Sequence, residues 1–103
     1  MAKNKATKAP AQVFPPGEFI REELEARAWT QRDFAAILGR PLQNVNNIIN
    51  GRTAVTAATA KQLALVFGTS AELWLNMETA YQLATAEEPD PKIARRAEKF
   101  AEA

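Results

Sequence analysis

The sequence predicts an all-α fold of five helices in one domain, and three observations predict it. Alanine is abundant and β-branched residues are scattered, which favours helix over strand. Apolar residues return at helical spacing in successive stretches, the pattern of helices with one buried face. Between the stretches stand stop and start signals: Gly39, Gly51 and Gly68 after apolar runs, and Thr30, Thr56 and Thr69-Ser70 before them. A chain of 103 residues suits a single modest core.

Each element follows from its residues. Residues 1–13 carry Lys3, Lys5 and Lys8 without an acid or any periodicity, and are read as a disordered basic tail. Pro15-Pro16-Gly17 then imposes an extended or turned approach. Gly17 or Glu18 opens the first helix, with Phe19, Ile20, Leu24 and Ala28 on its core face. Trp29 reads as a core plug between helices. Thr30 and Asp33 form a capping box for the second helix, which buries Phe34, Ile37 and Leu38 and ends at Gly39. Pro41 fits the first turn of the third helix, whose core face is Val45, Ile48 and Ile49. Thr56 caps the fourth, with Ala60, Leu63, Ala64 and Phe67 facing in. Thr69-Ser70-Ala71-Glu72 is a capping box for the fifth, along which Leu73, Trp74, Met77, Ala80, Tyr81 and Ala84 form a broad apolar band. Pro89 and Pro91 break that band. The folded domain is therefore expected over residues 14–86, and residues 87–103 as a charged tail or short helix.

Composition removes several classes of function. The chain has no Cys and no His, so the commonest general base, the commonest zinc ligand and any thiolate are missing. The remaining Asp, Glu, Lys, Ser and Tyr form no catalytic constellation, so neither an enzyme nor a cofactor or metal site is expected. No apolar run is long enough to span a membrane, and the leading lysines precede no signal-like apolar segment. The expected location is cytoplasmic.

Net charge is only +1, but it is unevenly distributed. Glu18 to Ala28 is acidic. Thr30 to Arg52 carries Arg32, Arg40 and Arg52 against Asp33 alone. The surplus positive charge therefore sits on the tail and on this stretch, where a DNA partner would meet it.

That stretch, TQRDFAAILGRPLQNVNNIINGR, reads as helix, tight turn, helix. Ala35 and Gly39 are small where the second helix must cross the first, and Val45 and Ile48 pin it down. The opposite face is left with Leu42, Gln43, Asn44, Asn46 and Asn47. An amide carries a donor and an acceptor in one plane and matches adenine N7 and N6 in the major groove. Gln31 and Arg52, at the two ends of the unit, are suited to phosphates. An amide-rich helix face is by itself more often mere solvated surface. The agreement of Gln31, Phe34, Ala35, Leu38, Gly39, Val45 and Ile48 in one register favours DNA.

The segments TQRDFAAILG, NGRTAVT and LALVFGTSAELWLN together resemble the Xre/Cro helix-turn-helix family, in its HigA antitoxin branch. The PPGEFIREELEARAWTQ opening is similar to that branch, and FGTSAELWLNMETAYQL is the most specific piece. The resemblance covers about Phe14 to Ala84. It implies a five-helix, Xre/Cro-like DNA-binding domain acting as a homodimer on double-stranded operator DNA, repressing its own operon. It further implies a partner, a HigB-like toxin of the RelE-like, mRNA-cleaving kind. Carried over residue by residue, it places base reading on Leu42, Gln43, Asn44, Asn46 and Asn47, and phosphate contacts on Gln31, Asn50 and Arg52. Arg40 stands where the family usually has an apolar turn residue, Pro41 where it has a Ser or Thr cap, and Asn46-Asn47 where it often has Ser-Arg. Losing that Arg shifts the expected phosphate affinity towards Arg40, Arg52 and the lysine tail.

One recognition helix reads few bases, and a two-fold dimer doubles the site. The wide band of the fifth helix is the expected interface, through Trp74, Met77, Glu78, Tyr81 and Ala84, with Leu73, Trp74 and Met77 also filling core. Acidic Glu18, Glu22, Glu23 and Glu25 on the first helix, and the C-terminal segment, are candidate toxin contacts. The runner-up is a plain dimeric repressor of the same fold without a toxin. A third reading is an interaction module that no longer binds DNA.

Overall fold

A computed structural model of the chain describes residues 13–101. The disordered-tail reading therefore lies outside the described residues, apart from Val13. The described chain is all helical: α1 (Pro16–Arg27), α2 (Gln31–Leu38), α3 (Leu42–Ile49), α4 (Ala57–Phe67), α5 (Ala71–Thr85) and α6 (Lys92–Ala101). Five helices were expected in the domain and a tail or short helix after it; Lys92–Ala101 takes the second form, a regular helix beyond the two prolines and the sixth among the described residues.

Local chemistry sets most boundaries. Thr30 and Asp33 form the reciprocal capping box, with Thr30 Oγ1 accepting from the Asp33 N–H at 3.0 Å and Asp33 Oδ2 from the Thr30 N–H at 2.8 Å. Thr56 caps α4 through the Thr59 N–H. Gly39 and Gly68 end α2 and α4 in the left-handed region, at φ of 69° and 72°. Three details differ from expectation. Pro41 is the N-cap of α3, one position outside the helix. Ser70 alone caps α5, accepting from the Leu73 N–H, because Thr69 Oγ1 is engaged by the indole of Trp74. Ala28 is not on the core face: it closes α1 in the left-handed region at φ 59°.

The core gathers one side of the first five helices. Ile20, Phe34, Val45, Ile49, Leu63 and Trp74 are its largest fully buried side chains. Burying each contributes about 1.5–3 kcal/mol. Phe67 sits at the aromatic centre, with ring centroids 5.5 Å from Phe34, 5.8 Å from Trp74 and 6.5 Å from Trp29. Arg27 lies over both Trp29 and Phe67 and closes this end. Phe19, Ile37 and Leu73 were expected inside. They stand 37%, 47% and 44% exposed, because each lies at the edge of its helix's buried stripe.

Helix α3 is held from two sides. It packs on α2 and on α1, while α5 packs on α4 and α1. At the α1 contact the backbones nearly touch. A Cβ on Gly17 would fall 1.9 Å from the Ile49 carbonyl oxygen, so only glycine lets α1 seat the end of α3.

Candidate nucleic-acid interface

Helix α3 divides sharply. Val45, Ile48 and Ile49 are buried, and Leu42, Gln43 and Asn44 are exposed, with Asn46 and Asn47 half-buried beside them. The five residues expected to read bases therefore share one accessible surface. Gln31, the first residue of α2, and Asn50, the C-cap of α3, lie along its edge.

The amides are ordered by their own hydrogen bonds. Gln43 Nε2 donates to Asn47 Oδ1 at 3.0 Å across one turn. This leaves the Asn47 amide N–H groups and the Gln43 carbonyl free, so the pair still offers donor and acceptor outward. A second string runs across three helices. Asn46 Nδ2 donates to Gln31 Oε1, and Asn50 Nδ2 donates to Asn46 Oδ1, both at 3.0 Å. Arg21 of α1 donates to Asn50 Oδ1 and also to Glu18 at 2.9 Å. Gln31 keeps its amide N–H groups for an acceptor such as phosphate, since its oxygen is the atom engaged. Sequence reasoning missed Arg21. Its only signal was an arginine on an otherwise acidic helix, and contact with a residue 29 positions away is invisible to local pattern.

Arg40 differs from expectation. Its guanidinium is directed inward, donating to Gln62 Oε1 at 2.9 Å, Asn44 Oδ1 at 2.8 Å and Thr59 Oγ1 at 2.9 Å. These bonds tie the turn to α4 and orient Asn44, so the side chain is a strut rather than a free phosphate contact. Thr59 is itself buried, and its hydroxyl oxygen accepts from both Arg40 and Thr56. Arg52 is exposed and follows the end of α3, where its backbone N–H closes on the Asn47 carbonyl at 2.8 Å.

Two residues expected at a dimer contact are engaged inside the chain. Trp74 is only 2% exposed, and its indole N–H donates to Thr69 at 2.7 Å. Glu78 accepts from the Val55 N–H at 2.7 Å and from Gln82 at 2.8 Å, so it anchors the loop before α4. Met77 and Tyr81 are half-buried and Ala84 is exposed.

A short helix pair, with the second helix pinned by its apolar side and presenting a polar one, defines a helix-turn-helix DNA-binding domain. Comparison with known proteins agrees. The helix-turn-helix family matches residues 20–74. Virulence-associated protein I of Dichelobacter nodosus is 38% identical over 79 residues, 76% of this chain and 73% of that protein. An addiction module antidote protein of the HigA family from Coxiella burnetii superposes with a TM-score of 0.68 at 36% identity, covering 84% of this chain and 92% of that one. The antitoxin HigA of Pseudomonas aeruginosa, solved with the higBA promoter, gives 0.68 at 28% identity over 86% of this chain and 91% of that one. The chain belongs to the Xre/Cro helix-turn-helix family, and several of the proteins it is similar to are named HigA antitoxins.

Proposed function

We propose that this protein is a DNA-binding antitoxin that represses its own operon and neutralises a HigB-like, RelE-like mRNA-cleaving toxin in the cytoplasm. The observation that carries the DNA half is the outward amide face of α3, held on a helix whose other side is fully buried. In this reading Gln43, Asn44 and Asn47, with Leu42 and Asn46, read base edges in the major groove. Gln31, Asn50 and Arg52 hold phosphates on either side. Arg40 acts one step back, by fixing Asn44. The toxin half rests on the relatives named HigA and antidote.

The reading takes the DNA-binding form to be a homodimer through α5. Leu73, Met77, Ala80 and Ala84 recur at i, i+4, i+7 and i+11 beside the core stripe, with Tyr81 next to them. Leu73, Ala80 and Ala84 are exposed in the single chain. A two-fold partner on this stripe would set two α3 helices about one DNA turn, ~34 Å, apart.

The test is growth of cells expressing the adjacent small open reading frame, with and without this chain. Arrest relieved by this chain is the expected result. An absence of arrest, or arrest that persists, would leave a dimeric repressor without a toxin.

A further inference from the structure

The last helix has no role in the reading above, and its surface is unusual. Seven of its positions fall into two chemistries on two different faces. Lys92, Arg95, Arg96 and Lys99 fall at i, i+3, i+4 and i+7, so all four cations share one stripe and line one cleft. Ile93, Ala97 and Phe100 lie on the other side. Every residue of α6 from Lys92 to Ala101 is exposed, so nothing in the described chain covers either stripe. The only acid in the cleft is Asp90. It is committed to the helix start, accepting from the Lys92 N–H at 2.9 Å, and lies 3.7 Å from Arg96.

We infer that this cationic stripe of α6 is a phosphodiester-binding site, which grips the DNA backbone outside the segment met by α3. The inference rests on the reading of the chain as a DNA-binding protein. Two further observations favour DNA over an acidic protein as the ligand. The helix-turn-helix unit is poor in available cations: of Arg32, Arg40 and Arg52, the guanidinium of Arg40 is taken up by Gln62, Asn44 and Thr59. A protein that binds duplex DNA draws much of its affinity from phosphates neutralised by Lys and Arg, and α6 supplies four such groups, of which, among the described residues, only Arg96 is shared, loosely, with Asp90 and the Lys92 carbonyl. The dimensions also suit a strand. Lys92 to Lys99 spans about 10 Å along the helix axis, which covers roughly three successive phosphates of one strand. The six residues 86–91 that join α6 to α5 reach at most about 20 Å, enough to bring the stripe to backbone flanking the recognition site.

The test uses the full chain with Lys92, Arg95, Arg96 and Lys99 all changed to Gln. Glutamine keeps the helix propensity, and α6 buries nothing, so the fold is retained and circular dichroism checks it. Affinity is measured between about 50 and 200 mM salt on a labelled duplex of the chain's own promoter and on an unrelated duplex. The expected result is a salt slope lower by at least about two on both duplexes, because phosphate contacts carry no base sequence. An unchanged slope on both would overturn the inference. Asn47→Ala separates this from the recognition reading: it should weaken promoter binding and leave the slope and the unrelated duplex untouched. A wild-type chain that binds both duplexes equally would defeat base reading alone, and one that binds neither would defeat both.

Discussion

Gln43 and Asn47 show how much of the proposed interface is prepared at single residues. Their mutual hydrogen bond fixes two amides that would otherwise rotate freely. Replacing either with Ala is expected to weaken operator binding by about 1–3 kcal/mol. The double replacement should cost less than the sum, because each single change already releases the other side chain. Fluorescence anisotropy on a promoter duplex checks both. Arg40 behaves differently. Arg40→Ala removes three hydrogen bonds, leaving buried Thr59 with Thr56 as its hydroxyl partner, so it should cost about 1–3 kcal/mol of folding stability in urea. A variant as stable as the parent would refute the strut role. From sequence, Arg40 counted as one more free charge. Two of its three partners lie 19 and 22 residues away on α4, beyond the range of any local pattern.

The helices are legible because their determinants are local. Thr30 and Asp33 cap each other within four residues, and Thr30→Ala should cost about 1 kcal/mol. Chemical denaturation measures it, and a loss confined to a few tenths would mean that the box adds little here. The glycine of α1 is the opposite case. Gly17 looks like ordinary punctuation after two prolines, yet it marks the contact between α1 and the end of α3. Gly17→Ala places a methyl against the Ile49 backbone, and overpacking of this kind costs about 1–3 kcal/mol. Because the displaced element is α3, operator affinity should fall together with stability. An Ala variant that unfolds like the parent would show that the two helices can part without loss.

At the scale of the whole molecule the open questions concern partners. The stripe of Leu73, Ala80 and Ala84 is exposed in one chain and apolar throughout. If the proposed dimer forms through α5, Ala84→Arg, which lies outside the core, should leave the monomer folded, shift sedimentation to a single chain and reduce operator affinity sharply. A variant still dimeric would move the interface off α5. Trp74 had been expected to share in that interface. It stays in the core because its ring packs on Phe67 and its indole N–H reaches Thr69. Trp74→Ala should therefore cost about 3–5 kcal/mol of stability, at any protein concentration.

The sequence by itself determined the order of the first five helices, the caps at Thr30, Thr56, Gly39 and Gly68, and the amide face, since each depends on spacing within a few residues. It also carried the family, through motifs that survive as strings. What only the tertiary structure decided was which polar groups are free. Arg40, Glu78 and Asn46 are each committed by a partner on another helix or loop. The edges of the helices were settled there too: Phe19, Ile37 and Leu73 fit an apolar face by spacing, but each stands exposed at the edge of its helix's buried stripe. The physical reason is the same in both cases. Helix formation is decided over one or two turns, whereas burial and hydrogen-bond satisfaction depend on groups brought close only by the fold.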